Sequence, residues 1–152
     1  MSYRTRGLTF DQFSVGDEFH TASRTVTEAD VVNFAGISGD YNPLHTNEEW
    51  AKENTPFETR IAHGVLIQSI ATGLANQLGI FEGTTIAVME MTSRFVGVVR
   101  FGDTIHVVLR VADKKESKKP DRGVANVYIE VLNQRDEPVL QGNWIVMLKR
   151  SI

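Results

Sequence analysis

Asp40 and His45 lie five positions apart in the run Asp40-Tyr41-Asn42-Pro43-Leu44-His45. A carboxylate and an imidazole at that spacing can divide acid and base work, provided their surroundings pull their pKa values apart. Further along, Ile61-Ala62-His63-Gly64 opens the most helical stretch of the chain. The first N–H groups of a helix have no intrahelical partner, and glycine lets another atom approach closely. Gly64 is therefore the candidate donor to an oxygen that gains negative charge during a reaction. The same residues also fit ordinary turn chemistry, since Asp and Asn side chains cap turns and proline fixes φ. Asn42 could orient the Asp40 carboxylate or only cap the turn. His63 could touch substrate or serve as a structural hydrogen-bonding residue. His20 and His106 fall on strands without a motif nearby and read as structural. No His/Asp/Glu spacing matches a helix-borne zinc site, so neither metal nor cofactor is expected.

These residues need elements to hold them, and hydrophobic periodicity indicates which. A turn at Gly16-Asp17 feeds a strand running to about Val26, and residues 1–10 read as a loosely tethered end. Thr27 offers a helix cap with Asp30 three residues on, and Gly36 and Ser38-Gly39 end that helix. Asp40 is then delivered from a helix terminus. A short helix fits Asn47 to about Asn54, stopped by Thr55-Pro56. From Ala62 to about Leu78 the pattern is helical again, with no charged residue between His63 and Phe81 and Gly79 placed as a C-terminal cap. Such a helix is expected to be buried along most of its length.

After Gly83 the period changes to two. Thr84 to Val99 is rich in β-branched and aromatic residues. Ile105, Val107, Leu109 and Val111, then Ala125, Val127, Ile129 and Val131, then Leu140, Gly142, Trp144, Val146 and Leu148, each share one face of a strand. An order of strand, helices, one apolar helix and four strands predicts an α+β fold in which a central helix lies against an antiparallel sheet. Lys114 to Arg122 carries five basic residues against two acidic ones, and reads as a solvated hairpin loop rather than a phosphate clamp. Trp50 and Trp144 read as packing residues.

Composition narrows the function classes. With 152 residues, 41% hydrophobic and 23% charged, the chain fits one globular domain over residues 1–152. A net charge of −3 argues against a nucleic-acid partner. The absence of cysteine removes disulfides, thiolate nucleophiles and thiolate metal sites. No stretch reaches the length of a membrane span, and no apolar segment follows Met1-Ser2-Tyr3-Arg4 as a signal peptide would require. A cytoplasmic protein is expected.

Phe34 to His45, followed by Arg60-Ile61-Ala62-His63-Gly64, resembles the hydratase motif of MaoC-like dehydratases and (R)-specific enoyl-CoA hydratases. The motifs cover about 30 residues, and the order of elements agrees over nearly the whole chain. The resemblance implies a hot-dog fold, a dimer joining two sheets edge to edge, and an acyl-CoA thioester substrate. It implies reversible hydration of trans-2-enoyl-CoA to (R)-3-hydroxyacyl-CoA, with Asp40 and His45 as the catalytic pair and Gly64 as the oxyanion donor. Where the family often has a serine on the central helix, the matching position here is Thr72, whose hydroxyl could do the same work; Ser69 is a weaker substitute. Two other readings fit the implied fold. One is an acyl-CoA thioesterase, disfavoured because the helix from Ala62 to Gly79 has no Asp or Glu. The other is a non-catalytic acyl-thioester binding subunit, which would be expected to lose Asp40 or His45 first.

Overall fold

Period-two alternation in the second half of the chain builds the main layer. The computed structural model describes residues 2–151. Strands β3 (Thr85–Phe95), β4 (Thr104–Glu116), β5 (Arg122–Leu132) and β6 (Pro138–Lys149) pair antiparallel, and two short segments, β1 (Glu18–His20) and β2 (Arg24–Thr25), pair with β4. The sheet order is β1-β4-β5-β6-β3, with β2 also on β4. The faces fall as the alternation predicts: Ile105, Val107, Leu109, Val111, Val127, Ile129, Val131, Leu140 and Leu148 are all buried. Each such side chain contributes about 1.5–3 kcal/mol by leaving water.

Four helices precede that layer: α1 (Glu28–Ser38), α2 (Pro43–Thr46), α3 (Glu48–Asn54) and α4 (Gly64–Gln77). Helix α4 lies against β4 and β6 and buries Leu66, Ile67, Ile70, Ala71, Leu74 and Ala75. Burial extends along most of its length, as expected, but on one face. Only the face toward the sheet is covered, and Val65, Ser69, Gly73 and Asn76 stay exposed on the other.

Three readings change. The strand expected through Val26 is interrupted. From His20 to Arg24 the chain takes four steps while its partner moves three, from Val108 to Ile105, so one residue bulges out of register. Residues 6–10, within the end expected to be loose, are tied down. Gly7 N–H donates to the Glu82 carbonyl at 3.0 Å, Leu8 N–H donates to that of Ile80 at 2.8 Å, and Phe10 is buried. A Cβ on Gly7 would meet the Glu82 oxygen at 2.2 Å, so this approach needs glycine. The strand expected to reach Val99 ends at Phe95. There Val96 and Gly97 both turn their N–H groups to the Val139 carbonyl, and Val99 leaves to accept from Ala62 N–H at 2.8 Å. That departure brings the end of β3 to the entrance of α4. Among the described residues no helix is long and apolar enough to cross a membrane.

Candidate active site

A chain of short polar contacts sets Asp40 and His45. Helix α1 starts at Thr27, whose hydroxyl accepts from Asp30 N–H while the Asp30 carboxylate accepts from Thr27 N–H. It ends at Gly39, which takes φ 76° and returns its N–H to Ala35. Ser38 Oγ accepts from Asp40 N–H at 3.1 Å, and Asp40 Oδ1 accepts from Asn42 N–H at 3.1 Å. Asn42 Oδ1 then accepts from Leu44 N–H at 3.1 Å and caps α2, with Pro43 at its first position. The expected turn is thus a one-turn helix carrying His45. Of the two roles open for Asn42, its side-chain oxygen takes the cap, while its backbone N–H holds the Asp40 carboxylate.

His45 Nδ1–H donates to the Ile61 carbonyl at 2.7 Å, which leaves the Nε2 lone pair free to accept a proton. Half-burial pushes the His45 imidazole below the usual histidine range; the Ile61 carbonyl opposes this, the neighbouring His63 adds to it, and the Asp40 carboxylate again opposes. His45 is therefore a neutral base near pH 7.

Ile61 is itself fixed by neighbours that sequence reasoning quoted only as part of a motif. Arg60 bridges Glu48 at 2.9 Å and Glu28 at 2.7 Å, and its guanidinium lies 4.8 Å from the Phe101 ring centre. Glu48 also accepts from Thr59 Oγ1. Those hydrogen bonds, from Thr59 and then Arg60, hold the Glu48 carboxyl at a pKa of about 2. Ile61 N–H donates to the Leu44 carbonyl, so the segment before α4 and the helix bearing His45 are tied twice.

His45 and Gly64 line one cleft of about 640 Å³. Its other walls are apolar, among them Leu44, Phe57, Val65, Phe95 and Val96. Sequence reasoning missed these wall residues, because a partly exposed apolar residue on a loop or strand end looks like any other surface position. Asp40 is outside the lining, but its carboxylate is exposed and lies within 4.8 Å of ring nitrogens of His45 and His63. Gly64 is the first residue of α4, so its N–H lacks an intrahelical partner. A Cβ there would meet the Phe95 ring at 2.6 Å, which is a second reason for glycine.

His63 is buried, does not line the cleft, and stacks on His45 with ring centres 3.8 Å apart. The two ring planes are 29° apart, and the Asp40 carboxylate and ring nitrogens of both histidines lie within 4.8 Å of one another, a spacing at which a metal ion could be held. Thr72 is eight residues beyond Gly64, about 12 Å along the helix axis. It lines a separate hollow with Met91 and Trp144, and its hydroxyl donates to the Ser69 carbonyl at 2.7 Å. Ser69 Oγ donates to the Val65 carbonyl. Neither hydroxyl meets the cleft in this protomer. Of the basic hairpin, Lys114 turns inward to the Phe13 carbonyl and the Phe10 ring.

Comparison with known proteins identifies the family and the fold. The family model for the MaoC like domain matches residues 11–132. The chain is 30% identical over 146 residues to 3-hydroxybutyryl-CoA dehydratase of Methylorubrum extorquens, covering 96% of this chain and 87% of that one. It is 38% identical over 113 residues to protein MaoC of Klebsiella aerogenes, covering 74% of this chain, but it spans only about a third (32%) of that relative's length. It is 37% identical over 98 residues to the (R)-specific enoyl-CoA hydratase of Rhodospirillum rubrum, covering 64% of this chain and 65% of that one. Among solved structures, a monoamine oxidase regulatory protein from Archaeoglobus superposes with a TM-score of 0.90 at 34% identity, over 99% of this chain and 100% of that one. A Mycobacterium tuberculosis protein with a double hotdog fold superposes with a TM-score of 0.85 at 22% identity, over 98% of this chain and 46% of that one, which identifies the fold. With the family model matched over most of its length and the hot-dog arrangement in place, this chain belongs to the MaoC-like dehydratase family.

Proposed function

We propose that the protein adds water to trans-2-enoyl thioesters of coenzyme A, giving (R)-3-hydroxyacyl thioesters, and catalyses the reverse dehydration. One observation carries this reading: His45 and Gly64, the first residue of α4, line the same apolar cleft, with the Asp40 carboxylate within 4.8 Å of an imidazole nitrogen. His45 Nε2 takes a proton from water as the water oxygen bonds to Cβ. The electron pair of the double bond moves toward the thioester, whose oxygen gains charge against the N–H of Gly64. The imidazolium, held by the Asp40 carboxylate, returns a proton to Cα. Water is consumed whole and the site is restored.

The cleft walls support an aliphatic acyl chain. His45 is the polar side chain among them, and no cationic side chain is there to neutralise a second carboxylate. The names of two relatives, an (R)-specific enoyl-CoA hydratase and a 3-hydroxybutyryl-CoA dehydratase, support the thioester class and the configuration. Thioester hydrolysis is a weaker reading, because α4 has no Asp or Glu to activate water at the carbonyl carbon.

The working form is a homodimer, joined along β3. That strand is an outer edge of the sheet and leaves Ile86, Val88, Met89 and Phe95 exposed, a long apolar edge that proteins normally cover. The opposite edge, β1, is three residues long and carries Glu18, paired with Arg110 on β4. Crotonyl-CoA tests the activity: loss of the enone absorbance with formation of the (R)-3-hydroxy product is expected. Release of free thiol, or no loss of absorbance, contradicts it.

A further inference from the structure

His63 is a buried titratable residue that the proposed chemistry leaves without a task. It is 2% exposed and directly precedes the first residue of α4. Its Nε2–H donates to the backbone carbonyl of Asp40 at 3.0 Å. Its ring stacks on His45 at 3.8 Å with planes 29° apart, and the Phe34 ring meets it edge-on at 4.9 Å. Its Nδ1 is buried and has no hydrogen-bond partner among the described residues.

That unpaired nitrogen argues against a purely packing role. Leaving a buried polar atom unsatisfied costs about 1–3 kcal/mol, and an aromatic hydrocarbon ring of similar shape would avoid the cost. What histidine adds over such a ring is the donor that reaches Asp40. The same side chain therefore touches the backbone of Asp40 and the ring of His45, and its own backbone leads directly into Gly64. We infer that His63 is a positioning residue, fixing the Asp40 backbone, the plane of the His45 ring and the N–H of Gly64 in one mutual arrangement. This rests on the reading of Asp40, His45 and Gly64 as the reacting set.

Two substitutions separate the contributions. His63→Phe keeps a flat ring against His45 and removes both the donor and the orphan nitrogen. His63→Gln offers an amide donor toward Asp40 without the stacked ring. For His63→Phe the expected result is a loss of about 10- to 100-fold in kcat with KM little changed, since small misplacements of reacting groups cost on that scale. Its Tm should be equal to or above the wild-type value, a combination that a packing residue would not give. His63→Gln should recover part of kcat.

A second readout does not depend on turnover. The ring proton of His45 can be titrated by NMR in wild type and in both variants. Asp40 and His63 are the titratable groups acting on it, and the cleft walls around it are apolar. The wild-type midpoint should lie below 6.5 and rise in His63→Phe, because His63 lowers it. An unchanged midpoint in His63→Phe, or a loss of kcat that only tracks a loss of Tm, overturns the inference. If His63→Phe does not fold, the same titration on His63→Gln decides it. A wild type that hydrates no enoyl thioester removes the proposed activity, while the titration still tests the coupling.

Discussion

Along β5 burial alternates without a break from Arg122 to Leu132, whereas between Glu28 and Thr59 only Val31, Ala35 and Ala51 are buried. The two regions are held by different physics. The sheet is fixed by apolar side chains on one face and a regular ladder. The helical segment is fixed by directional contacts, each short and local: the Thr27–Asp30 capping box, Ser38 to Asp40, Asp40 to Asn42, Asn42 to Leu44, and Glu48 to Thr59 and Arg60. Apolar burial is tolerant of small shifts, while a hydrogen bond loses strength steeply with angle and distance. A site that must hold a carboxylate, an imidazole and an N–H in register is better built from the second kind of contact. The sheet and α4 then supply the stability that such a segment lacks.

The contrast can be broken from either side. The largest expected effect is at Asp40. Asp40→Asn should lower kcat/KM by about 10²–10⁴-fold while Tm stays close to wild type, because the carboxylate is exposed and packs against little. Ile129→Ala should do the reverse, costing about 2–5 kcal/mol in urea unfolding with kcat per folded molecule retained. If that core truncation also abolished turnover in the folded fraction, the separation between the regions would be wrong.

Asn42→Ala sits between these extremes. It removes the cap of α2 and should cost about 1 kcal/mol of stability together with a smaller loss of kcat, since α2 carries His45. The pH dependence of turnover follows from the depressed His45 pKa. Rate should hold as pH falls to about 6.5 and decline below it as the imidazole takes a proton and ceases to be a base. A rate that shows no acid-side decline over the range in which the protein stays folded would remove His45 from the chemistry.

The smallest effect concerns Glu48. Its folded pKa of about 2 lies below the ordinary 4.5, so its contribution is present above pH 4.5 and is lost as pH falls toward 2. Thermal melts of Glu48→Gln should show a shallower fall in Tm across that window than wild type. Identical slopes would mean that the Arg60 cluster does not help hold the segment before α4.

The same contrast explains what was legible in the residues. Period-two alternation names the buried face of β4, β5 and β6 because each side chain answers to one local rule. The cap at Thr27 was visible for a similar reason, since a capping oxygen acts within three residues. The pairing of Leu8 with Ile80, and the departure of Val99 toward Ala62, were not visible, because each joins two segments distant in sequence. Asp40, His45 and Gly64 could be singled out by residue type and spacing. The stack of His63 on His45 could not, because it requires the segment before α4 to fold back over α2. The exposed stripe on α4 was not visible either: absence of charge foretold burial along most of the helix's length, but not that one face would stay bare.

The central claim is that Asp40 and His45 act as a unit, the carboxylate supporting the imidazole that takes and returns the proton. Single-turnover hydration of crotonyl-CoA by Asp40→Asn, His45→Gln and the double variant tests it most directly. Residues that act together are strongly non-additive, so the double variant should be hardly slower than the worse single variant. Losses that multiply, or a single variant that keeps the wild-type rate, would contradict the account.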